Sequence, residues 1–324
     1  DSHQADFRRI VRQEPSYNAA VPFRAVARLG SHEYAFALDA ASNKAAGYNQ
    51  LYFDLNHNGD LTDDQPILAV DVSSLPGSGI AQSQFPRVDV PVEVDGASVD
   101  HAFLISAYCQ QSASSAHASI SLYAAAVREG YIGEGRKRTH LVLVDHNTNG
   151  RFDDRVSIRL SGGRVYPSEG DLLLVNPNPR NRLSSDATMG RDRHYVSKTV
   201  CIGKHFYQME TSPSGDRLKL IPTELAMGYA TNPSPAYRAV VFSDDYGVLM
   251  IGGLKDNKIP LPEGQWKMAS YTIDATAFTG GSRTAVTATF GEDHPGVKVD
   301  KGETAELPFG APFKPVVTGY RTAG

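Results

Sequence analysis

The sequence predicts a mainly β protein, built from antiparallel sheets and ending in a β-sandwich. Three observations favour this fold class. Apolar residues come in short runs, in which a period of two prevails over the helical period of 3.6. The 29 glycines and 19 prolines among 324 residues favour many turns. Short apolar segments in the last third of the chain follow one another at a spacing typical of a sandwich.

The first predicted element is a hairpin over residues 20–37, which turns at Gly30-Ser31-His32. Asp95-Gly96 is a second hairpin turn, because this dipeptide suits the positive φ angles of a tight turn. Residues 112–119 are small and polar and predict a loop. The alanine-rich centre of residues 120–127 leaves a strand and a short helix both open. Further strands are predicted over residues 67–72, 88–94 and 101–108.

The second half continues as a series of short strands. Residues 172–175 predict a strand that runs into Asn176-Pro177-Asn178-Pro179, a loop without acidic side chains. Residues 181–193 are a long polar excursion, where we expect any partner site. The remaining strands are predicted over residues 199–202, 205–210, 217–221, 237–242, 248–251, 266–273, 285–290, 297–299 and 304–307.

The chain is long enough for two or three domains. Its character changes past Pro222, so we expect a boundary between residues 222 and 236. The sequence predicts a β-rich region over residues 1–222, with a possible break near residues 110–135. A C-terminal β-sandwich is predicted over residues 223–324.

Two loops of one pattern carry the clearest chemical signal. A hydrophobic strand runs into Asp-x-Asn-x-Asn-Gly at Asp54 and again at Asp145, which also suggests an internal duplication. Oxygen side chains at positions one, three and five of a tight loop, with glycine at six, can bind a hard cation at roughly 2.3–2.6 Å. Calcium is therefore the expected cofactor. The predicted ligands are Asp54, Asn56, Asn58, Asp60, Asp63 and Asp64 in the first loop, and Asp145, Asn147, Asn149, Arg151, Asp153 and Asp154 in the second.

These loops resemble an EF-hand only over this short pattern. Neither has the glutamate at position twelve, and both follow strands where an EF-hand has a helix. The closing carboxylate pair comes one residue earlier in the second loop, which has fewer carboxylates and is expected to bind calcium less tightly. Because clustered carboxylates repel one another, binding should be coupled to local folding. The other interpretation is that the loops are turns without metal.

Composition and charge exclude several classes of protein. The chain is 41% hydrophobic and 21% charged, as is ordinary for a globular protein. A formal net charge of −4 supplies no overall attraction for nucleic acid. No apolar run approaches the roughly 20 residues of a membrane helix, so we expect no membrane span.

The start of the chain and its cysteines agree with export. The chain begins at Asp1 without methionine, as a protein does after removal of a signal peptide. Cys109 and Cys201 could form one disulfide, which would persist outside the cell, or remain two thiols. We therefore expect a secreted, periplasmic or cell-surface location.

The segment 51–64, together with residues 145–154, looks like a group of uncharacterised exported bacterial proteins with a strand followed by D-x-N-x-N-G-x-(x)-x-D-D. The likeness extends more loosely through the hairpin at residues 212–218 to the C-terminal sandwich. Residues 259–267 resemble the lP-x-G-x-Y/W turn of prealbumin-like and carboxypeptidase-regulatory-like β-sandwiches. The resemblance implies a β-rich envelope or surface protein with calcium in its loops, and it implies no activity.

The motifs favour a structural or binding role over an enzyme. No G-x-S-x-G, H-E-x-x-H, Walker or Rossmann motif is present, so a secreted hydrolase of unknown class is the minority expectation. His140, His194 and His205 are the histidines expected near clefts or sheet ends. The 15 tyrosines leave a calcium-dependent carbohydrate-binding module open, although the single tryptophan, Trp266, is expected in the sandwich core. The expected partner is a second copy of the chain, a cell-surface glycan or a surface protein.

Overall fold

The fold is taken from a computed structural model of the chain. It describes residues 2–42, 47–75, 78–111, 116–133, 135, 138–177, 192–234, 236–254, 257–274, 285–294 and 296–310. The predicted fold class is confirmed, because the protein is nearly all β and its strands pair mostly in antiparallel fashion. The polar excursion at residues 181–193, where we expected a partner site, lies almost wholly outside the described residues.

The first half contains a short N-terminal helix and eleven strands in its described part. They are α1 (Ser2–Ile10), β1 (Phe23–Leu29), β2 (His32–Asp39), β3 (Gln50–Phe53), β4 (Ile67–Leu68), β5 (Asp71–Leu75), β6 (Ile80–Gln84), β7 (Val88–Val94), β8 (Ala97–Gln111), β9 (Ala116–Ala124), β10 (Val127–Ile132) and β11 (Thr139–Val144).

The second half consists of short strands separated by turns. They are β12 (Ile158–Ser161), β13 (Arg164–Pro167), β14 (Leu172–Val175), β15 (Arg193–Tyr195), β16 (Thr199–Ile202), β17 (His205–Thr211), β18 (Leu218–Pro222), β19 (Met227–Thr231), β20 (Ala236–Ser243), β21 (Gly247–Leu254), β22 (Ile259–Pro262), β23 (Gly264–Asp274), β24 (Ala285–Thr289), β25 (Val297–Val299) and β26 (Thr304–Glu306).

The chain forms two compact units, and each unit is made of three separate stretches of the sequence. The first unit is Asp1–Asp154 with Gly170–Leu173 and Glu210–Lys219, and the second unit is Arg155–Glu169, Leu174–Met209 and Leu220–Gly324. Two short pieces from later in the chain thus belong to the first unit. The expected domain boundary between residues 222 and 236 remains a prediction.

The first unit contains two sheets that share a core. One sheet has the order β1-β2-β3-β4, and the other has the order β5-β6-β8-β7 with β9 paired to β8. The core cluster includes Leu38 and Phe53 from one sheet and Phe103 from the other, so the two sheets pack face to face. Helix α1 adds Phe7 to a second cluster that contains Tyr52, so the first sheet is covered on both faces.

The second unit contains the predicted C-terminal strands. Its larger sheet has the order β21-β20-β23-β24, with β25 paired to β23, and a smaller sheet has the order β22-β19-β26. Trp266 is 1% exposed in a cluster with Leu261 and Val241, and its indole N–H donates to the carbonyl of Pro262 over 2.9 Å. The expected core position of Trp266 is therefore confirmed.

Hairpin turns were predicted better than the ends of strands. Asp95 and Gly96 turn β7 into β8 with φ angles of 51° and 82°, as their sequence predicts. The predicted loop at residues 112–119 is wrong for residues 116–119, which begin β9, and residues 120–124 continue this strand rather than forming a helix. Pairing with β8 outweighs the polar composition there, because strand formation depends on neighbouring strands.

Two further observations concern membrane-spanning helices and the two cysteines. Among the described residues, no helix is both long and apolar enough to cross a membrane. Cys109 and Cys201 are both free thiols rather than partners in a disulfide.

Candidate cation-binding loops

Both predicted loops follow strands of the first unit. The first loop, residues 54–64, leaves β3, and the second loop, residues 145–154, leaves β11. Positions in each loop are counted from the leading aspartate, Asp54 or Asp145. Both side chains are buried with 0% exposure, so each loop begins at a carboxylate fixed in the core.

In the first loop the leading carboxylate organises the backbone. Asp54 accepts hydrogen bonds from the backbone N–H groups of Asn58 (3.1 Å) and Gly59 (3.0 Å). The side-chain oxygen of Asn56 also accepts from the N–H of Asn58 over 3.0 Å, which forms an Asx turn. The side-chain amides of Asn56 and Asn58 donate to Oδ2 of Asp63 over 3.4 and 2.8 Å. Side chains at positions three, five and ten therefore converge.

The second loop repeats this network. Asp145 accepts from the backbone N–H groups of Asn149 (3.2 Å) and Gly150 (2.7 Å). The side-chain amides of Asn147 and Asn149 donate to Oδ2 of Asp154 over 3.1 and 2.7 Å. The carboxylate that receives both amides stands at position ten in each loop, although the acidic pairs themselves are offset by one residue.

The two loops also share their unusual backbone angles. Position four has a positive φ in both, 53° at His57 and 57° at Thr148, and position six is a glycine with φ of 77° or 85°. A Cβ atom at Gly59 would lie 2.6 Å from the backbone oxygen of Ile10, so a larger residue does not fit. A β-branched residue such as Thr148 adopts this conformation at a cost of roughly 1–3 kcal/mol, and only where its surroundings enforce it.

A buried side chain at position eight fastens each loop to the unit. Leu61 and Phe152 are both 0% exposed. Leu61 packs in the cluster of Phe7 and Tyr52, and the guanidinium of Arg128 lies 4.6 Å from the ring centre of Phe152. The loops are consequently held from two sides, by the leading aspartate and by this apolar residue.

Charged side chains next to these loop hydrogen bonds already have hydrogen-bond partners of their own. In the second loop, Arg151 donates to Asp153 and to Asp95, each over 3.0 Å. A cationic side chain cannot bind a metal ion, so a ligand from Arg151 would be its backbone carbonyl, as at position seven of an EF-hand. In the first loop, Asp60 accepts from the backbone N–H of Thr62 over 2.8 Å and from its hydroxyl.

Asp64, at position eleven, has an unused oxygen. Its Oδ1 accepts from the backbone N–H of Leu55 over 3.4 Å, while its Oδ2 is buried without a hydrogen-bond partner. Burial, together with the negative charges of Asp54, Asp63 and Asp60, raises the pKa of Asp64 to about 6. The first loop thus holds carboxylates that repel one another.

Asp171 is the functional candidate that the sequence analysis missed. It stands immediately before β14, is 0% exposed, and accepts from the backbone N–H groups of His146 (3.3 Å) and Asp154 (2.8 Å). Burial first, and then the charges of Asp145 and Asp154, raise the pKa of Asp171 to about 8. No motif marks this residue, because it lies outside the loop in the sequence and reaches the loop only through the fold.

His101, on β8, lies behind the second loop. Its side chain is 0% exposed, neither ring nitrogen has a hydrogen-bond partner, and Nδ1 lies 3.8 Å from Oδ2 of Asp145. Burial, together with the charge of Arg128, lowers the pKa of His101 to about 4, so the ring is neutral near pH 7. Burial also raises the pKa of Asp145 to about 6.

Within the described ranges, no group of three or more histidine, cysteine, aspartate or glutamate side chains is placed to hold a metal ion. Positions three and five are asparagines, whose amide hydrogens already bind the carboxylate at position ten. The donor chemistry nevertheless fits calcium, because each loop offers carboxylate, amide and carbonyl oxygens. The buried, unpartnered Oδ2 of Asp64 is an atom that a cation would satisfy.

The second unit has a cavity of its own, of about 360 Å³. Its lining includes His194, Cys201 and Arg238. Burial raises the pKa of the Cys201 thiol to about 11, so this cysteine is not an activated nucleophile. The cavity therefore supplies no support for an enzyme that uses a reactive cysteine.

The pKa of His194 predicts loss of stability in acid. Burial, followed by the charge of Arg238, lowers the pKa of His194 to about 4, while Asp192 opposes this shift. Between pH about 6.5 and 4 the unfolded chain binds the extra proton, so stability should fall as the pH falls, by at most about 1.4 kcal/mol per pH unit. Urea unfolding at several pH values should show a shallower slope for His194→Gln. The same substitution at the exposed His205 is the matched control, and an equal effect of both substitutions would contradict the prediction.

The fold and its loops define a nearly all-β protein with two matching Asx loops. No protein-family model, no curated protein and no solved structure matches the chain. The resemblance to exported bacterial proteins and to prealbumin-like sandwiches thus remains a prediction.

Proposed function

We propose that the protein is an exported β scaffold whose two loops bind calcium, and that it has a structural or binding role at the cell envelope or surface. One observation carries this proposal. Two loops far apart in sequence place the side chains of positions three and five on the carboxylate of position ten. A turn alone needs only the bonds to the backbone, so the repeated convergence of two side-chain amides on one acid, five and seven residues later, supports a common ligand.

The chemistry of the donors favours calcium over other cations. All side-chain candidates in the first loop are oxygen donors, and calcium accepts six to eight such ligands in a flexible arrangement, whereas magnesium demands a compact octahedron. The ion would have to replace the hydrogen bonds that the asparagine amides donate to the charged carboxylate, and each such bond contributes about 1.5–3 kcal/mol. We therefore expect weak affinity, with Kd of about 10⁻⁴–10⁻³ M, as in extracellular modules.

An exposed strand supports association with another chain as part of this role. All five residues of β5 are exposed, and this strand stands at the end of its sheet. Val72 and Leu75 are 42% and 61% exposed, and Val70, just before the strand, is 70% exposed. Three of the five residues of β5 are polar, but an exposed edge strand that also carries apolar side chains is a natural surface for pairing with a second copy or with another protein.

Calcium should raise the thermal stability of the protein through both loops. At free calcium ten times the Kd, each site would add about 1.4 kcal/mol, because only the folded chain binds the ion. Asp63→Asn and Asp154→Asn each keep the shape of the position-ten side chain but remove its charge. Each variant should lose one bound ion and about half of the calcium-dependent stabilisation. The measurements are thermal unfolding in chelator and in about 10 mM calcium, and bound metal by equilibrium dialysis.

Asp89→Asn is the matched control for this experiment, because Asp89 is an exposed acid on β7 that pairs with Arg87. It should retain both ions. Magnesium at the same concentration controls for ionic strength. If the parent protein binds no calcium and unfolds at the same temperature with and without it, the loops are hydrogen-bonded turns and the proposal fails.

A further inference from the structure

Three neighbouring strands of the five-stranded sheet in the first unit present one side to solvent. Ile105 and Ala107 of β8 lie in the core of the unit, so the alternate residues of this strand point away from it. Strands β6 and β9 pair with β8 on its two sides and follow the same alternation. We define the outer face by six outward-pointing residues, Gln82, Gln84, Ser106, Tyr108, Ser121 and Tyr123.

The register of the three strands sets the order of these side chains. Ser106 lies between Gln84 of β6 and Ser121 of β9, and these three residues form the central row of the face. Tyr108 comes two residues after Ser106, and Tyr123 comes two residues after Ser121. Because β8 and β9 are antiparallel, the tyrosines lie on opposite sides of the central row, roughly 14 Å apart along the strands.

The two glutamine side chains are held in place by one hydroxyl group. The side-chain amides of Gln82 and Gln84 donate to Oγ of Ser106 over 3.4 and 2.9 Å. Within the described residues, the Oε1 atoms of both glutamines receive no hydrogen bond, so both can accept one from a ligand. Tyr123 is 53% exposed, and Gln82 and Ser121 are exposed as well. The outer face thus offers ordered hydrogen-bonding groups beside an accessible aromatic ring.

The outer face carries no formal charge. Residues 80–84, 104–110 and 117–123 include all six of its members, and they contain no lysine, arginine, aspartate or glutamate, although 21% of the whole chain is charged. Asp71, on the edge strand β5, borders the face opposite Gln84. A charged partner would find no opposite charge among the six residues, so the composition favours a neutral partner.

The polar centre of the outer face favours a sugar chain over a protein. Protein interfaces surround a mostly apolar centre with a polar rim. Here the order is reversed, because the central row is polar and the tyrosines flank it. Sugar hydroxyls both donate and accept hydrogen bonds, as serine hydroxyls do, and glutamine amides offer donors and an acceptor. The tyrosine rings supply flat apolar surfaces on which the C–H groups of a sugar ring can pack.

We propose that the outer face binds a neutral polysaccharide. Its chain runs along the strands, with sugar rings packed on Tyr108 and Tyr123 and with sugar hydroxyls bound by the central row. The inference names a partner for the proposed binding role and rests on that role. It does not depend on calcium, because all six residues lie outside the two loops.

The test is calorimetric titration of the full chain with neutral hexasaccharides of glucose, xylose, mannose and galactose. At least one should bind, and Tyr123→Ala should weaken that binding about tenfold through loss of one aromatic contact. Tyr123→Phe keeps the ring and should bind like the parent. Tyr131→Ala is the matched control, because Tyr131 is 57% exposed on β10, outside the outer face, and its loss should leave binding unchanged.

Three results would overturn the proposal. The first is failure of every neutral hexasaccharide to bind, and the second is binding that both Tyr108→Ala and Tyr123→Ala leave unchanged. The third is preferential binding of polygalacturonate, an acidic polysaccharide. Self-association that Tyr123→Ala abolishes, without any sugar binding, would make the outer face a protein interface instead. Circular dichroism of each variant checks that the fold is retained.

Repeating the titration in chelator and in calcium separates this inference from calcium binding by the loops. Sugar binding by a parent protein that binds no calcium supports the outer face and rejects the calcium sites. Calcium binding by a parent that binds none of the sugars rejects only the outer face.

Discussion

Phe152→Ala is expected to lower the free energy of unfolding by about 3–5 kcal/mol, the range for removal of a buried phenylalanine from a packed core. Phe152 is 0% exposed at position eight of the second loop. Its ring contacts Arg128 by a cation–π interaction, and the Cα of Gly215 approaches it so closely that a Cβ there would lie 2.7 Å from Cγ. The surrounding groups cannot all move into the vacated space, so a cavity should remain.

The loss should be visible in urea unfolding. The calcium binding that we propose for the second loop should weaken as well, while that proposed for the first loop should not change. Tyr123→Ala removes an aromatic ring that is 53% exposed in the same unit, and it should cost less than about 1 kcal/mol. Equal unfolding midpoints for the two variants would show that position eight does not anchor the loop.

Trp266→Ala is expected to destabilise the second unit by a similar amount, about 3–5 kcal/mol. Trp266 is 1% exposed and stacks on Tyr246 with ring centres 5.6 Å apart. Its indole N–H also donates a hydrogen bond to the carbonyl of Pro262. This carbonyl would lose its donor in the alanine variant. Both losses act on the turn between β22 and β23.

Trp266→Phe separates these contributions, because it keeps most of the apolar contact and removes the donor. It should cost less than the alanine variant and more than Tyr229→Ala, a partly exposed control in the same unit. The measurement is chemical unfolding followed by circular dichroism. A Trp266→Ala protein as stable as the parent would exclude the packing that the core cluster describes.

Much of the fold could be predicted because its signals are local. The period of two marks strands such as β7, whose side chains alternate between buried and exposed along its whole length. Asp95-Gly96 fixes a turn within two residues. Helix α1 was not anticipated, because it is held by packing against β-strands rather than marked by a local pattern. Residues 116–119 were assigned to a loop, because their strand conformation depends on pairing with β8 and not on their own composition.

The contacts of the candidate loops also separate into local ones, which the sequence predicts, and long-range ones, which it does not. The hydrogen bonds from the backbone to Asp54 and Asp145 connect residues four or five positions apart, so the short pattern is sufficient to predict them. Arg151 donates a hydrogen bond to Asp95, which lies 56 positions away in the sequence, so the short loop pattern could not predict this contact. The same holds for Asp171 and His101.

The sequence by itself determined the β class, the hairpin turns and the folded-back form of both loops, because each depends on residues close together in the chain. Tertiary structure decided which carboxylates meet, which are neutralised and which are buried. Asp171 joins the second loop only because the fold brings the start of β14 beside it. The pKa of Asp171 rises to about 8 because the fold removes its carboxyl from water and places it near the charges of Asp145 and Asp154. Burial and long-range contact are properties of the folded chain, and no local pattern contains them.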